Sequence, residues 1–234
     1  AHSTNDADKT HWQPLKTHLV NVAKITSTFA QDCGAKELGY VAGLLHDLGK
    51  YSLEFQKRLE GHTESVDHST AGARECRSHY PTSLSRILEY TITGHHGGLL
   101  NFGSAASGLE ERLSKAIPDY SSFKDEIQVP RLEDIRPKFR PLYNSAGFSI
   151  SFFTRMLYSC LVDADSLDTE NFCAPNKAEL RGMYDSFDVL ATKFNERKNR
   201  TLFSSEKSKI NQYRREILEQ CIAKAALPPQ MFTL

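Results

Sequence analysis

The stretch that decides the fold covers residues 43–59 and reads GLLHDLGKYSLEFQKRL. A short helix is predicted from Leu38 to Leu45, and it ends within HDLGK because Gly49 is a natural stop signal. Ser52 can cap a further helix that stops at Gly61. The segment therefore places a histidine and an aspartate side by side at the end of a helix.

Helical periodicity continues on both sides of this stretch. Apolar residues recur at steps of three and four from Leu15 to Phe29, and that run stops near Gly34. Further helices are predicted over residues 69–79, 84–92, 145–167, 176–200 and 205–226. Residues 97–108 are predicted to form a loop, and 118–143 an irregular, exposed segment. Because strand signals are scarce, the predicted fold class is all-α.

The composition excludes several classes of protein. Mean hydropathy is -0.47, and no apolar run reaches the roughly 18 residues of a membrane span. No basic-then-apolar leader precedes the first motif, so a cytoplasmic protein is expected. The 29 basic and 29 acidic residues cancel, which argues against nucleic-acid binding by bulk electrostatics but leaves room for a local basic groove. The scattered cysteines are typical of a reduced intracellular protein: Cys33, Cys76, Cys160, Cys173 and Cys221.

The residues that carry chemistry are histidines and aspartates. The candidate groups are His18, His46–Asp47, His68, His95–His96, and an acidic stretch with Asp163, Asp165 and Asp168. Helix neighbours point about 100° apart, so His46 and Asp47 can converge on one ion only near a helix end, which Gly49 supplies. Imidazole with carboxylate suits manganese, iron, cobalt, nickel or zinc. Asp47 is the candidate bridge between two ions, and Lys50 would project to the same side and hold a phosphate.

Each of these pieces also has an ordinary structural interpretation. A lone HD pair occurs by chance in many proteins, and His18 on an apolar helix face is more often a core histidine. His95 and His96 could simply end a helix, where an imidazolium favours the helix dipole. The acidic stretch could be a solvated face. The joint occurrence of all the pieces, in one order on a helical background, favours a metal site.

The order H…HD…H…HH…D resembles that of the HD superfamily of metal-dependent phosphohydrolases. The finer match lies in AHS at 1–3, WQPLKTHLVNVA at 12–23, GLLHDLGKYSLEFQKRL at 43–59, DHSTAGA at 67–73, GHHGGL at 94–99 and LYSCLVDADSLDTE at 157–170. Together, over about residues 1–170, these motifs resemble the HD nuclease domain of the CRISPR-associated helicase-nuclease of type I interference systems. The resemblance implies a helical bundle with a metal site between its central helices.

The same resemblance implies two metal positions that share Asp47. One metal would be held by His18, His46, Asp47 and a distal aspartate, and the second by Asp47, His68, His95 and His96. The family pattern places the distal ligand at Asp165, with Asp163 as the alternative. Asp47 and Lys50 would be catalytic, and Lys50 and Ser69 would lie near the substrate phosphate. The remaining histidines match no ligand position: His2, His11, His62 and His79.

The resemblance further implies metal-dependent cleavage of single-stranded DNA. The expected cofactor is one or two divalent transition-metal ions (manganese, iron, cobalt, nickel or zinc), with magnesium disfavoured. Residues 1–227 would form the nuclease domain, and 228–234 would begin a C-terminal helicase domain that this sequence lacks. The expected partners are single-stranded DNA, a helicase domain in cis or trans and a CRISPR RNA-guided surveillance complex, but no membrane. Basic residues in 131–140 and 196–215 indicate either DNA or partner contact or a solvated face.

Two other classes of function stay open. An HD phosphohydrolase acting on nucleotides or cyclic dinucleotides would have a closed pocket with base-stacking aromatic side chains, whereas a nuclease needs an open cleft that passes a strand. A non-catalytic, metal-containing interaction module is the other class. Binding alone needs no second metal and no open coordination position, so an intact ligand set argues against that module.

Overall fold

The computed structural model describes residues 1–3, 9–103, 108–202 and 208–228, and these residues confirm the all-α fold. No strand occurs among them, and the one isolated β-bridge joins Asn101 to Gly108. The helices are α1 (Leu15–Ala30), α2 (Lys36–Leu45), α3 (Leu53–Leu59), α4 (Ser69–His79), α5 (Thr82–Gly94), α6 (Leu109–Ser114), α7 (Ala146–Cys173), α8 (Pro175–Ala178), α9 (Phe187–Leu202) and α10 (Lys209–Lys224).

The helices around the HD pair form where the local signals place them. The Ser52 side chain caps α3 by accepting a hydrogen bond of 3.3 Å from the Phe55 amide. A short 3-10 turn, Leu48–Tyr51, separates α2 from α3. The predicted break at the HDLGK motif is therefore a change from one helix type to another, and it gives His46 and Asp47 different backbone conformations.

The core lies where α1, α2, α5 and α7 pack on one another, with α4 against α5. The apolar stripe of α1 buries Leu19, Val22 and Ala23 completely, and α2 contributes Leu38 and Leu45 in the same way. Burial of such stripes supplies most of the stability of a helical bundle. The core also contains polar side chains, because His18 and His46 are fully buried between these helices.

The segment 118–143 is irregular, as predicted, but the expectation that it is exposed is wrong for three of its apolar side chains, whereas Leu132, Leu142 and Tyr143 are exposed. Phe123, Ile127 and Ile135 are buried in the core cluster. The Tyr80 hydroxyl donates a 2.8 Å hydrogen bond to the Pro130 carbonyl and fastens the segment to α4. The three apolar residues lie four and eight positions apart, but prolines interrupt the segment and no continuous helix carries them, so the sequence showed no sustained apolar stripe.

Residues 180–234 form a second compact unit, separate from residues 1–179. The helix predicted over 176–200 is wrong in its first part: α8 ends at Ala178, and α9 begins only at Phe187. Gly182, with a φ of 85°, lies in the gap between them, and left-handed backbone of this kind ends helices. Of the helix predicted over 205–226, residues 205–207 lie outside the described part of the chain, and α10 covers Lys209–Lys224. Ser208 caps α10 by accepting a 3.2 Å hydrogen bond from the Asn211 amide.

Several other expectations bear on the chain as a whole. All five cysteines are free thiols. Among the described residues, no helix has both the length and the apolar character that crossing a membrane requires. The proposed start of a helicase strand at 228–234 lies outside the described residues beyond Pro228. The nuclease domain boundary at residue 227 stays a prediction.

Candidate metal centre

Asp47 lies at the helix break, and the break explains why its neighbour His46 can face it. His46 keeps helical dihedrals at the end of α2, whereas Asp47 has a φ of -116° and a ψ of 21°. As a result the His46 Nε2 atom is 3.3 Å from Asp47 Oδ2. Two adjacent residues that would diverge on a regular helix therefore converge on one point.

Two glycines bring the start of α4 to the same point. The Gly49 amide donates a 3.0 Å hydrogen bond to the His68 carbonyl, and a Cβ atom at Gly49 would lie 2.4 Å from that oxygen. A Cβ at Gly72 would lie 1.7 Å from the Leu45 carbonyl oxygen, so α4 can pack this closely on α2 only through glycine. The approach places His68 Nε2 3.5 Å from Asp47 Oδ1.

The end of α5 supplies the two adjacent histidines. His95 follows the last residue of α5, and its Nε2 atom lies 3.4 Å from Asp47 Oδ1. His96 is exposed, and its Nε2 atom lies 2.8 Å from the Nε2 atom of His68. Two ring nitrogens at this distance share either a proton or a common cation. Asp47 Oδ1 therefore faces histidines from two different helix ends.

The other carboxylate oxygen of Asp47 faces His18 on α1, and His18 in turn contacts Asp165 on α7. His18 Nε2 lies 3.6 Å from Asp47 Oδ2 and 3.3 Å from Asp165 Oδ1. Asp165 Oδ1 is also 3.7 Å from His46 Nε2. Asp163 is exposed, because two helical steps turn its side chain about 200° away from that of Asp165. The structure therefore brings Asp165 to the cluster and leaves the alternative, Asp163, outside it.

All seven predicted ligands thus lie in one cluster, and Asp47 occurs in two of its ligand groups. In each group the ligand atoms lie within 4.8 Å of one another. The groups are Asp47 with His68, His95 and His96; His18 with His46 and Asp47; and His46 with His95 and Asp165. Coordination of an ion by these residues stays a prediction, but the geometry provides places for two cations around one carboxylate.

The hydrogen bonds of the histidines fit this use. The Nδ1 atoms of His46 and His95 each lie 2.7 Å from a backbone carbonyl oxygen, and His68 Nδ1 lies 3.1 Å from another. Because a carbonyl only accepts, each Nδ1 must donate, and in the neutral ring Nε2 keeps its lone pair. Among the described residues, these inward atoms are buried without a hydrogen-bond partner: His18 Nε2, His46 Nε2, His95 Nε2 and Asp47 Oδ1, whereas Asp47 Oδ2 forms an ion pair with Lys50 at 2.6 Å. Buried lone pairs without donors are what a cation would satisfy.

A comparison with known families agrees with this geometry. The family model of the HD domain matches residues 15–118. Proteins with this domain are metal-dependent hydrolases that bind divalent ions, and the cluster could hold such an ion. The match reaches from α1 to just beyond α6, and Asp165 on α7 lies outside it. No curated protein matches the chain.

Electrostatics in the HD domain favour cations at the cluster. Burial opposes a charge on His18, but the nearby carboxylates of Asp165, Asp168 and Asp47 outweigh it and raise its pKa to about 9. His46 is affected in the same way, mainly by the charge of Asp47, and its pKa rises to about 10. Burial would raise the pKa of Asp47, yet the charges of His46 and Lys50 hold it well below its usual range. Without a metal, protons on the histidines neutralise the buried carboxylates, and divalent cations would replace them.

Lys50 forms an ion pair with Asp47, whose carboxylate belongs to two of the ligand groups. Its Nζ atom lies 2.6 Å from Asp47 Oδ2 and 5.5 Å from the centre of the Phe55 ring. Ser69, expected near the substrate phosphate, accepts a 2.7 Å hydrogen bond from the Arg112 guanidinium. Lys50 therefore lies beside the cluster, and the place of Ser69 near a phosphate stays a prediction.

Sequence reasoning named Asp168 only as one of three candidate acids, and it missed the role of Asp168, Gln13 and Asn21 in orienting His18. Asp168 Oδ2 accepts hydrogen bonds of 2.7 Å from His18 Nδ1 and 2.7 Å from Gln13 Nε2, and Asn21 donates to Asp168 Oδ1 at 2.9 Å. The available signal was the spacing of three between Asp165 and Asp168, which puts both on one face of α7. His2, expected to be no ligand, belongs to none of these ligand groups, although its ring lies edge-on to His18 with 5.0 Å between centres.

Two cavities in residues 1–179 differ in whether they adjoin the cluster. A cavity of about 350 Å³ adjoins it and is lined by Lys50, His68 and His96. A larger cavity, of about 820 Å³, lies between α5, residues 99–102 and the first half of α7, and none of the predicted ligands lines it. Of these two cavities, the smaller one therefore adjoins the candidate ligands.

Proposed function

We propose that the HD domain cleaves phosphodiester bonds of single-stranded DNA, using one or two divalent ions of manganese, iron, cobalt, nickel or zinc. The observation that carries the proposal is the position of Asp47, whose two oxygens face two different groups of histidines. A shared carboxylate of this kind is what a two-ion phosphodiesterase needs. The proposed setting is the cytoplasm, as the nuclease part of a CRISPR interference helicase-nuclease.

The chain's own residues divide the work at this centre. His18, His46 and Asp165 would hold one cation, and His68, His95 and His96 the other, with Asp47 common to both. When bound, such ions polarise a phosphoryl oxygen and lower the pKa of water. Lys50 would exchange its contact with Asp47 Oδ2 for a phosphate oxygen of the incoming substrate, and so align the phosphodiester beside the centre.

An open side of the centre favours a strand over a small nucleotide. His96 is exposed and His68 is partly exposed, so the second ligand group faces solvent. The adjoining cavity has Phe55 as an aromatic lining residue, but Phe55 is buried against Lys50 and His68 instead of presenting a face to a base. This arrangement fits a polynucleotide backbone better than a base-stacking nucleotide pocket.

The proposed partners follow from the same function. A helicase domain, in cis or trans, would deliver the single strand, and an RNA-guided surveillance complex would select the target. The net charge of zero supports delivery by a motor, since the domain lacks the basic excess with which proteins capture DNA themselves. The basic side chains Arg131, Arg136, Lys138 and Arg140 are exposed and available for such contacts; in the second basic stretch, Lys207 lies outside the described residues.

The deciding experiment compares substrates on one metal-reconstituted preparation. Circular single-stranded DNA, duplex DNA of the same sequence, nucleotides and cyclic dinucleotides are each incubated with manganese-loaded protein and with the Asp47→Ala variant. We expect cleavage of the circular single strand by the wild type only. Hydrolysis confined to nucleotides or cyclic dinucleotides would replace the nuclease by the alternative HD phosphohydrolase, and metal binding without any hydrolysis would indicate an interaction module.

A further inference from the structure

The cavity beside the metal centre extends away from it along α3. Phe55 on α3 contacts His68 with 4.9 Å between ring centres, and it lies under the Lys50 ammonium. Arg58 follows three residues later, so it lies on the same face of α3 as Phe55 and lines the same cavity. The cavity therefore leads from the candidate ligands His68 and His96 to an arginine that is not part of the cluster.

The charges along this cavity have one sign. Lys50 and Arg58 are cationic, and the described residues that line the cavity include no aspartate or glutamate. The nearby Glu60 carboxylate is already paired with Lys9. Among the residues that the structure describes here, an anion entering this space would meet two cations and no fixed negative charge until it reached Asp47.

Arg58 is available for such an anion. It is exposed, and among the described residues its guanidinium has no ion-pair or hydrogen-bond partner. A guanidinium binds phosphate through two parallel hydrogen bonds, which makes arginine the preferred residue for recognising a phosphodiester. Lys50, in contrast, is buried and held by Asp47, so the two cations serve different positions along the cavity.

We infer that Arg58 binds the phosphodiester next to the scissile one, so that the site selects strands carrying at least two successive phosphates. This inference rests on the proposed function, and it identifies the part of the substrate that the cavity binds. Lys50 serves the reacting phosphate beside the centre, and Arg58 holds the neighbouring phosphate without touching the reacting atoms. Arg58 is thus a substrate-positioning residue.

The test compares Arg58→Ala with Lys57→Ala, a matched loss of one positive charge on the same helix at a residue that does not line the cavity. Each manganese-loaded full chain is assayed on an oligothymidylate and on bis(p-nitrophenyl) phosphate, which has a single phosphate. We expect Arg58→Ala to raise KM for the oligothymidylate about tenfold, the loss of one charge-assisted interaction, with kcat unchanged. Its activity on the single-phosphate probe should equal that of the wild type. In Arg58→Ala the slope of log KM against the logarithm of salt concentration should fall by about 0.7, the contribution of one phosphate contact on a single strand.

The outcomes separate this inference from the proposed function. Cleavage of the oligothymidylate with equal KM in the two variants would overturn the role of Arg58 alone. An equal loss on both substrates would also overturn it, because Arg58 would then act at the reacting phosphate or on the fold. Hydrolysis of the probe by a wild type that leaves the oligothymidylate intact would overturn the nuclease function, and the phosphate position at Arg58 with it.

Discussion

Asp168 Oδ2 lies 2.7 Å from His18 Nδ1, so a carboxylate on α7 sets the orientation and the protonated nitrogen of a candidate ligand on α1. Gln13 and Asn21 donate to the same carboxylate and hold it in place. A histidine that donates a hydrogen bond from Nδ1 to a carboxylate presents its Nε2 lone pair to a metal, and the carboxylate makes the ring a stronger base. The two helices are thus joined by the same contact that prepares the metal centre.

This relationship predicts the behaviour of Asp168→Asn. The amide keeps the shape but loses the charge, so His18 should bind metal less well, and manganese affinity should fall about 10- to 100-fold. Calorimetric titration of the chelated protein measures the effect. Asp163→Asn, an exposed aspartate on the same helix, is the matched control. Unchanged affinity in Asp168→Asn would mean that the contact serves only to pack α1 against α7.

Asp47→Ala should lose bound metal and all hydrolytic activity while the helical circular dichroism spectrum persists. One carboxylate faces both groups of histidines, so its removal takes a ligand from each. Metal content by inductively coupled plasma mass spectrometry and cleavage of circular single-stranded DNA provide the measurements. Full activity in a metal-replete Asp47→Ala protein would contradict the shared-carboxylate mechanism.

Asp165→Ala should reduce activity far more than Asp163→Ala. Asp165 Oδ1 lies within 3.3 Å of His18 Nε2 and 3.7 Å of His46 Nε2, whereas Asp163 is exposed on another side of α7. Parallel assays of the two variants with manganese decide the point. An equal loss in both would show that Asp163 also supports the centre.

The metal-free protein should lose stability as pH rises from about 6.5 to about 10. The pKa values of His18 and His46, about 9 and about 10, lie above the reference value of about 6.5. A raised folded-state pKa contributes stability that is complete below the unfolded value and is lost as pH rises through the folded value. Thermal unfolding in chelator across this range measures the loss, and His18→Gln should make the pH dependence shallower.

The same titration with manganese present should reverse the trend, since the ligands must release protons before they bind a metal. The stabilisation produced by manganese should therefore grow from pH 6.5 to pH 9. His79→Gln is the control, because His79 is exposed on α4 and belongs to none of the ligand groups. A metal-induced stabilisation that is independent of pH would contradict the exchange of protons for cations.

Metal selectivity gives a separate prediction. The group of Asp47, His68, His95 and His96 offers a metal three nitrogen ligands and one carboxylate. Magnesium, in contrast, prefers oxygen ligands and retains its waters. Chelated protein should regain DNA cleavage with manganese, cobalt or nickel, and much less with magnesium. Zinc should bind but inhibit where it closes into a tetrahedral site. Strong magnesium-only activity that survives His95→Ala and His96→Ala would rule out a nitrogen-rich second position.

The sequence alone determined the elements that depend on neighbours in the chain. Apolar periodicity predicted α1, the cap at Ser52 predicted the start of α3, and residue chemistry predicted the ligand types. The break at HDLGK was predicted too, but Gly49 does not stop the helix: α2 ends at Leu45, and Gly49 lies inside the 3-10 turn. These features follow from local dihedral preferences and from interactions within one or two helical turns. They could therefore be deduced before any packing was known.

Tertiary structure decided which side chains meet. The rotation of α7 about its axis brings Asp165 to the cluster, gives Asp168 to His18 and leaves Asp163 in solvent, although all three lie within six residues. Packing of the irregular segment 118–143 buried Phe123. The course of α3 beside His68 placed Arg58 along the cavity. Each of these outcomes depends on how one helix is set against another, because a side chain's partner across the core is chosen by the packing of whole helix faces and not by its neighbours in the chain.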